Sequence, residues 1–159
     1  MASGWYTKGL RECIDGTIDL DTDTLKLMLV NASYAFDADH EVVDNAADDA
    51  TDPSFNEITA TNYTAGWGGA GRKTPTITMQ ENDTQNRVEA ALDDQTWSSI
   101  GGATNDTIHG ALLVKEGGSD DTTSRLIAFF DITDKTTNGT DFLLNFATLA
   151  AGGNMQIAV

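Results

Sequence analysis

Three aspartates stand at alternate positions in the run Asp19-Leu20-Asp21-Thr22-Asp23. Oxygen ligands of this kind suit a hard cation, so Asp19, Asp21 and Asp23 form a candidate Ca2+ site if the chain is extended and the carboxylates share one face. The spacing is not that of an EF-hand: counted from Asp19, the sixth and twelfth positions hold Thr24 and Val30, where that loop needs Gly and Glu. The competing reading is a solvated acidic turn.

A second run, Ala65-Gly-Trp-Gly-Gly-Ala-Gly-Arg-Lys-Thr74, has the look of a phosphate loop. Gly66 and Gly71 are correctly separated, but Arg72 intervenes before Lys73 and Thr74, and a phosphate loop must open a helix whose N-terminus faces the phosphate. Here Thr74-Pro-Thr-Ile-Thr-Met79 follows, which is β-branched and alternating, so a strand is expected and no nucleotide. The glycines then serve backbone geometry, displaying or tucking Trp67 and delivering Arg72 to the start of that strand.

Other chemistry is poorly supported by spacing. His40 has no second histidine four residues on, so no zincin helix exists, and His109 lies within a strand pattern. Cys13 is the only cysteine, which rules out an internal disulfide, and no nucleophile motif accompanies it. Carboxylates are abundant, with Asp37, Asp39, Glu41, Asp44, Asp48, Asp49 and Asp52 crowding one interval, but abundance in an acidic chain does not mark a glycosidase pair. No enzyme is expected and no cofactor beyond the candidate Ca2+. Trp5, Trp67 and Trp97 would stack on sugars if displayed, which keeps a carbohydrate-binding β-sandwich module as an alternative.

The elements that must position these residues are mostly strands. Gly, Thr, Asn and Asp punctuate short apolar runs throughout. Tyr6 to Ile14 is the single helical segment, with Tyr6, Leu10, Cys13 and Ile14 at three-to-four spacing and Gly16 to end it; this stripe is expected to lie on a sheet. Leu25 to Val30, Thr74 to Gln80, Asn86 to Leu92, Thr96 to Ile100, Ile108 to Lys115 and Leu126 to Ile132 read as strands. Segments around Phe142-Leu144-Phe146 and Met155-Ile157-Val159 add two more, with glycine-bearing turns at 116–121, 136–141 and 151–154. The interval 33–61 is long, acidic and almost without alternation, apart from one helical turn expected at Ser54. The fold class expected is mainly β: one antiparallel β-sandwich or jelly-roll-like domain over residues 1–159, with a short N-terminal helix.

Composition narrows the function. Nine Lys and Arg stand against 25 Asp and Glu, a formal net charge of −16. Such a surface repels phosphates, so no direct nucleic-acid partner is expected. No basic-then-apolar leader and no stretch near the roughly 20 apolar residues of a span is visible, so neither secretion by signal peptide nor membrane insertion is expected.

Read in order, the pieces resemble small virion structural proteins of tailed bacteriophages. They are Lys8-Gly9-Leu10, Gly16 to Asp19, Asp23 to Val30, Tyr34 to Asp39, Tyr63 to Gly71, Asp94 to Trp97 and Leu126 to Asp131, which together span nearly the whole chain. Two departures stand out: Leu20 replaces a Trp often found after the aspartate, and the acidic interval after Asp44 is longer than usual. The resemblance implies a non-enzymatic virion component made in the host cytoplasm. A capsid decoration or cement protein on the outside of the head shell is the expected role, with a tail- or fibre-associated component as the alternative. Its partners would be the major capsid protein or other virion proteins, with copies of itself as a homo-oligomer within the particle. The contact residues expected on that reading are Trp5, Tyr6 and Leu10 near the N-terminus, Tyr34, Phe36 and Phe55 in the long loop, and Trp67, Arg72 and Lys73.

Overall fold

The computed structural model describes residues 3–45, 50–118, 120–149 and 155–158. Its contacts divide the chain into two compact units, Met1–Thr74 with Trp97–Phe142 and Pro75–Thr96 with Leu143–Val159. The fold is mainly β, built of antiparallel sheets with one short N-terminal helix, and is sandwich-like, as the strand count and turn spacing imply.

In the first unit the alternating apolar runs become strands β1 (Gly4–Trp5), β2 (Leu25–Asn31), β6 (Thr107–Lys115) and β7 (Arg125–Thr136). They form one antiparallel sheet in the order β1-β7-β6-β2. Leu25 to Val30 pair residue for residue with Lys115 to Gly110, which buries apolar side chains on both faces of β2. Tyr6, Met28, Val30, Tyr34, Val43, Leu112, Val114, Leu126 and Phe129 meet in one core cluster, with Phe36 packed against it. The Phe36 ring stacks on Phe129 at a centroid distance of 5.3 Å, and the Tyr6 and Tyr34 hydroxyls are hydrogen-bonded to each other. Burial in this cluster pushes the Tyr34 hydroxyl up to about 12 and Tyr6 higher still, so both phenols stay neutral.

Helix α1 (Thr7–Ile14) starts after Tyr6 and ends before Gly16, whose φ of +78° reverses the chain as expected of a helix-ending glycine. Its buried face differs from the stripe expected. Gly9 and Glu12 are buried, while Ile14 is 68 % exposed. The cause is close approach: a Cβ on Gly9 would lie 2.1 Å from the Leu126 carbonyl oxygen, so the helix backbone rests directly on β7 and rotates Ile14 outward. Glu12 turns its carboxylate to Arg125 at 3.6 Å, and Arg125 also reaches Glu41.

Among its described residues the interval 33–61 has no strand, yet these residues are anchored in the core. Tyr34, Val43 and Ile58 are at most 1 % exposed, and backbone bridges join Glu57 to Val30 and Val42 to Arg125. The expected helical turn is a 3-10 turn, Pro53–Asn56. Asp48 and Asp49, like the glycine turn at 151–154 and Val159, lie outside the described residues.

The second unit is built on strands β3 (Ile77–Asn82), β4 (Arg87–Leu92) and β9 (Met155–Ala158), antiparallel in the order β3-β4-β9. Strands β5 (Gln95–Ile100) and β8 (Thr140–Leu144) form a further pair, along which the chain passes from one unit to the other.

Candidate functional site

The glycine stretch is organised by Arg72. Lys73 exchanges both backbone hydrogen bonds with Leu27, so the chain leaving the glycines is fixed beside β2 and the preceding side chain turns inward. The Arg72 guanidinium donates to Glu57 through Nε (3.0 Å) and Nη2 (2.7 Å), and to Asp121 through Nη1 (2.5 Å) and Nη2 (2.9 Å). Two bidentate carboxylates around one buried cation use its planar fork fully. Burial, the largest effect, opposes the charge on Arg72, but the bonds to Glu57 and Asp121 outweigh it and hold the guanidinium more firmly protonated than usual.

Glu57 is satisfied on both oxygens. Oε1 also accepts the Tyr63 hydroxyl at 2.7 Å, and Oε2 accepts the Gly66 backbone amide at 2.9 Å. Tyr63 in turn accepts the Leu29 amide, and burial followed by the Glu57 charge pushes its ionisation far up. An amide of the glycine turn therefore does bind an anion, and that anion is the chain's own Glu57. Gly66 and Gly68 take φ values of +82° and +73°, and Gly71 lies so close to the Tyr63 ring that a Cβ would sit 2.7 Å from it. The Trp97 indole closes the arrangement by donating to the Gly71 carbonyl at 2.6 Å.

The three aspartates form a turn, not an extended edge. Asp19 accepts the Asp21 amide, Asp23 accepts the Asp19 amide, and Asp23 pairs with Lys115 at 2.7 Å. These bonds hold the Asp19 and Asp23 carboxyls below their ordinary range, by the Asp21 amide for the first and by Lys115 for the second. Asp21 is exposed in the same turn. Among the described residues, no group of three His, Cys, Asp or Glu is arranged to hold a metal ion.

His109 sits at a double irregularity of the sheet, since register shifts against both β2 and β7 fall beside it. The bulge on β7 brings Asp134 to its Nδ1 at 2.7 Å, while Nε2 is buried without a hydrogen-bond partner and the ring lies against Phe129. This is a carboxylate–imidazole pair, but its second nitrogen is sealed from any proton it would move. Cys13 is part-buried, and burial with Glu12 beside it pushes the thiol up to about 11, which keeps it protonated at neutral pH.

A concavity of about 330 Å3 is lined by Asp39, His40, Glu41, Val42, Asn45, Asp52 and Thr122. Its carboxylates are partly committed: Glu41 faces Lys8 and Arg125, and Asp52 accepts the Asn45 amide.

Of the contact residues expected from sequence, Tyr6, Tyr34 and Arg72 are interior, and their surroundings are those of core and internal ion pair. Phe55 is 52 % exposed, whereas Trp5, Leu10, Phe36, Trp67 and Lys73 are partly buried. Sequence reasoning missed Glu57 and Asp121 because they lie 15 and 49 residues from Arg72, and no local pattern links them. The one available signal was Arg72 itself, a cation set between a glycine turn and a strand.

No protein-family model matches the chain, and neither a curated protein nor a solved structure matches it.

Proposed function

We propose that this chain is a non-enzymatic structural protein of a bacteriophage virion, acting as a capsid decoration protein bound to the outside of the head shell. The observation that supports the reading is how the charge is distributed. Seven of the nine basic side chains, Lys8, Arg11, Lys26, Arg72, Arg87, Lys115 and Arg125, are drawn into ion pairs within the chain. What remains outward is nearly single-signed and acidic, with apolar side chains such as Ile14, Phe55 and Leu143 standing exposed in it. An exterior of this kind stays hydrated, repels nucleic acid and meets other proteins through a few apolar anchors. Copies set side by side on a shell would contact the capsid protein through those anchors while their acidic faces point to solvent.

Quantitative mass spectrometry of the intact particle tests the reading: hundreds of copies per particle are expected, and a dozen or fewer would place the protein at a vertex or tail instead. A second reading rests on Trp67, part-exposed on the glycine turn, where an indole face would stack on a sugar. A glycan array with no hits would remove it.

A further inference from the structure

The β3–β4 hairpin carries a different kind of surface on each of its faces. Directly opposed residues of an antiparallel pair share a face, so the register Ile77↔Leu92, Met79↔Ala90, Glu81↔Val88 defines one side and Thr78↔Ala91, Gln80↔Glu89, Asn82↔Arg87 the other. The second side is closed on itself. Gln80, Asn82 and Arg87 all donate to the Glu89 carboxylate, at 3.0, 2.8 and 2.6 Å, and Glu89 is buried beneath them.

The first side changes character along its length. Ala90 and Leu92 are buried, whereas Met79 and Val88, nearer the turn at 83–86, are each 44 % exposed. Glu81 lies cross-strand from Val88 on this same face, and Asp83 follows at the turn. Neither has an ion-pair partner among the described residues, and the hairpin's single cation, Arg87, is spent on Glu89, its neighbour on the opposite face.

We infer that Met79 and Val88, with Glu81 and Asp83 at their rim, form a docking surface for a protein that presents an apolar patch beside lysine or arginine. The apolar pair supplies contact area, and the unneutralised carboxylates select the sign of the partner's rim. Charge complementarity argues against the obvious alternative occupant. A second copy of this chain would set Glu81 and Asp83 near the same residues of its neighbour, within an overall charge of −16 on each molecule. Nucleic acid is repelled for the same reason. The inference stands whether or not the partner belongs to a head shell.

The test uses the intact protein and two short probe peptides, one alternating leucine with lysine and the other leucine with glutamate, followed by amide chemical-shift mapping. The lysine peptide should shift resonances of Ile77–Asn82 and Arg87–Leu92, and the glutamate peptide should not. The double variant Met79→Ser, Val88→Thr should bind the lysine peptide at least tenfold more weakly. The charge reversal Glu81→Lys, Asp83→Lys, which leaves the apolar pair intact, should move the preference to the glutamate peptide. Shifts scattered over the acidic surface, unchanged binding by either variant, or self-association through this hairpin in sedimentation would each overturn the inference. The copy-number measurement above is independent of these outcomes, so either idea can fail alone.

Discussion

Arg72 and Arg87 are both ion-paired arginines, and they stabilise very different amounts of structure. Arg87 meets Glu89 two residues away, and the other donors to that carboxylate, Gln80 and Asn82, belong to the same hairpin. Arg72 joins Glu57 to Asp121 and thereby ties the end of the long loop, the glycine turn and the segment before β7 to one point. A local network of this type reinforces a hairpin that its turn already encodes. A long-range one fixes segments that have no secondary structure to hold them, so its loss is felt further away.

The long-range network is most sensitive at Glu57, which meets Arg72, Tyr63 and Gly66 at once. Glu57→Gln leaves Arg72 neutralised by Asp121 but sets an amide NH2 against two of the four donors that Glu57 accepts, and should lower unfolding free energy by about 2–5 kcal/mol, read by denaturant titration. Next in size is Gly71→Ala, which presses a methyl group into the Tyr63 ring and should cost about 1–3 kcal/mol in the same assay.

The Glu89 network should respond to acid with a smaller and more local effect. The Gln80 amide, followed by Arg87 and Asn82, holds the Glu89 carboxyl below its ordinary value of 4.5. Its folded-state value is therefore depressed, so its stabilisation is complete above the unfolded value and is lost as pH falls through the folded one. Amide protection factors in Ile77–Leu92, taken relative to the intrinsic exchange rate at each pH, should fall over that acid range, and Glu89→Gln should abolish this dependence while leaving protection in β6 unchanged. The smallest effect belongs to the aspartate turn. Asp23→Asn removes a part-exposed pair with Lys115 and should cost about 1 kcal/mol or less, and chelator should leave the melting temperature where it was.

The contrast also explains what the sequence revealed. Strand periodicity is a local signal: Leu25 to Val30 and Ile108 to Lys115 form strands within a residue of the positions their alternation implies, while the strand expected at Leu126 to Ile132 starts at Arg125 and runs on past its bulge to Thr136. Helix α1 was equally legible in extent but not in orientation. Its facing residue is Gly9, and a hydrophobic stripe cannot register a contact made by the absence of a side chain. The two-residue strand β1 is too short to show any period. The interval 33–61 looked coreless because Tyr34, Val43 and Ile58 are spaced without regularity, although each reaches the interior. The site was the least legible part, since the pairing of Arg72 with Glu57 and Asp121 is a property of three distant loops and exists only once the sheet is formed.

The Arg72 cluster has a practical consequence for proteolysis. Gly71-Arg72-Lys73-Thr74, following a run of glycines, is the sequence in this chain that trypsin would be expected to attack first. In the folded protein Arg72 is locked between two carboxylates and Lys73 is hydrogen-bonded by its backbone to β2, so neither fits an extended protease cleft. Cutting there has to wait until the fold opens around the cluster. The dibasic step would then serve as a built-in clock, its cleavage rate reporting how often the first unit opens far enough to release its own arginine.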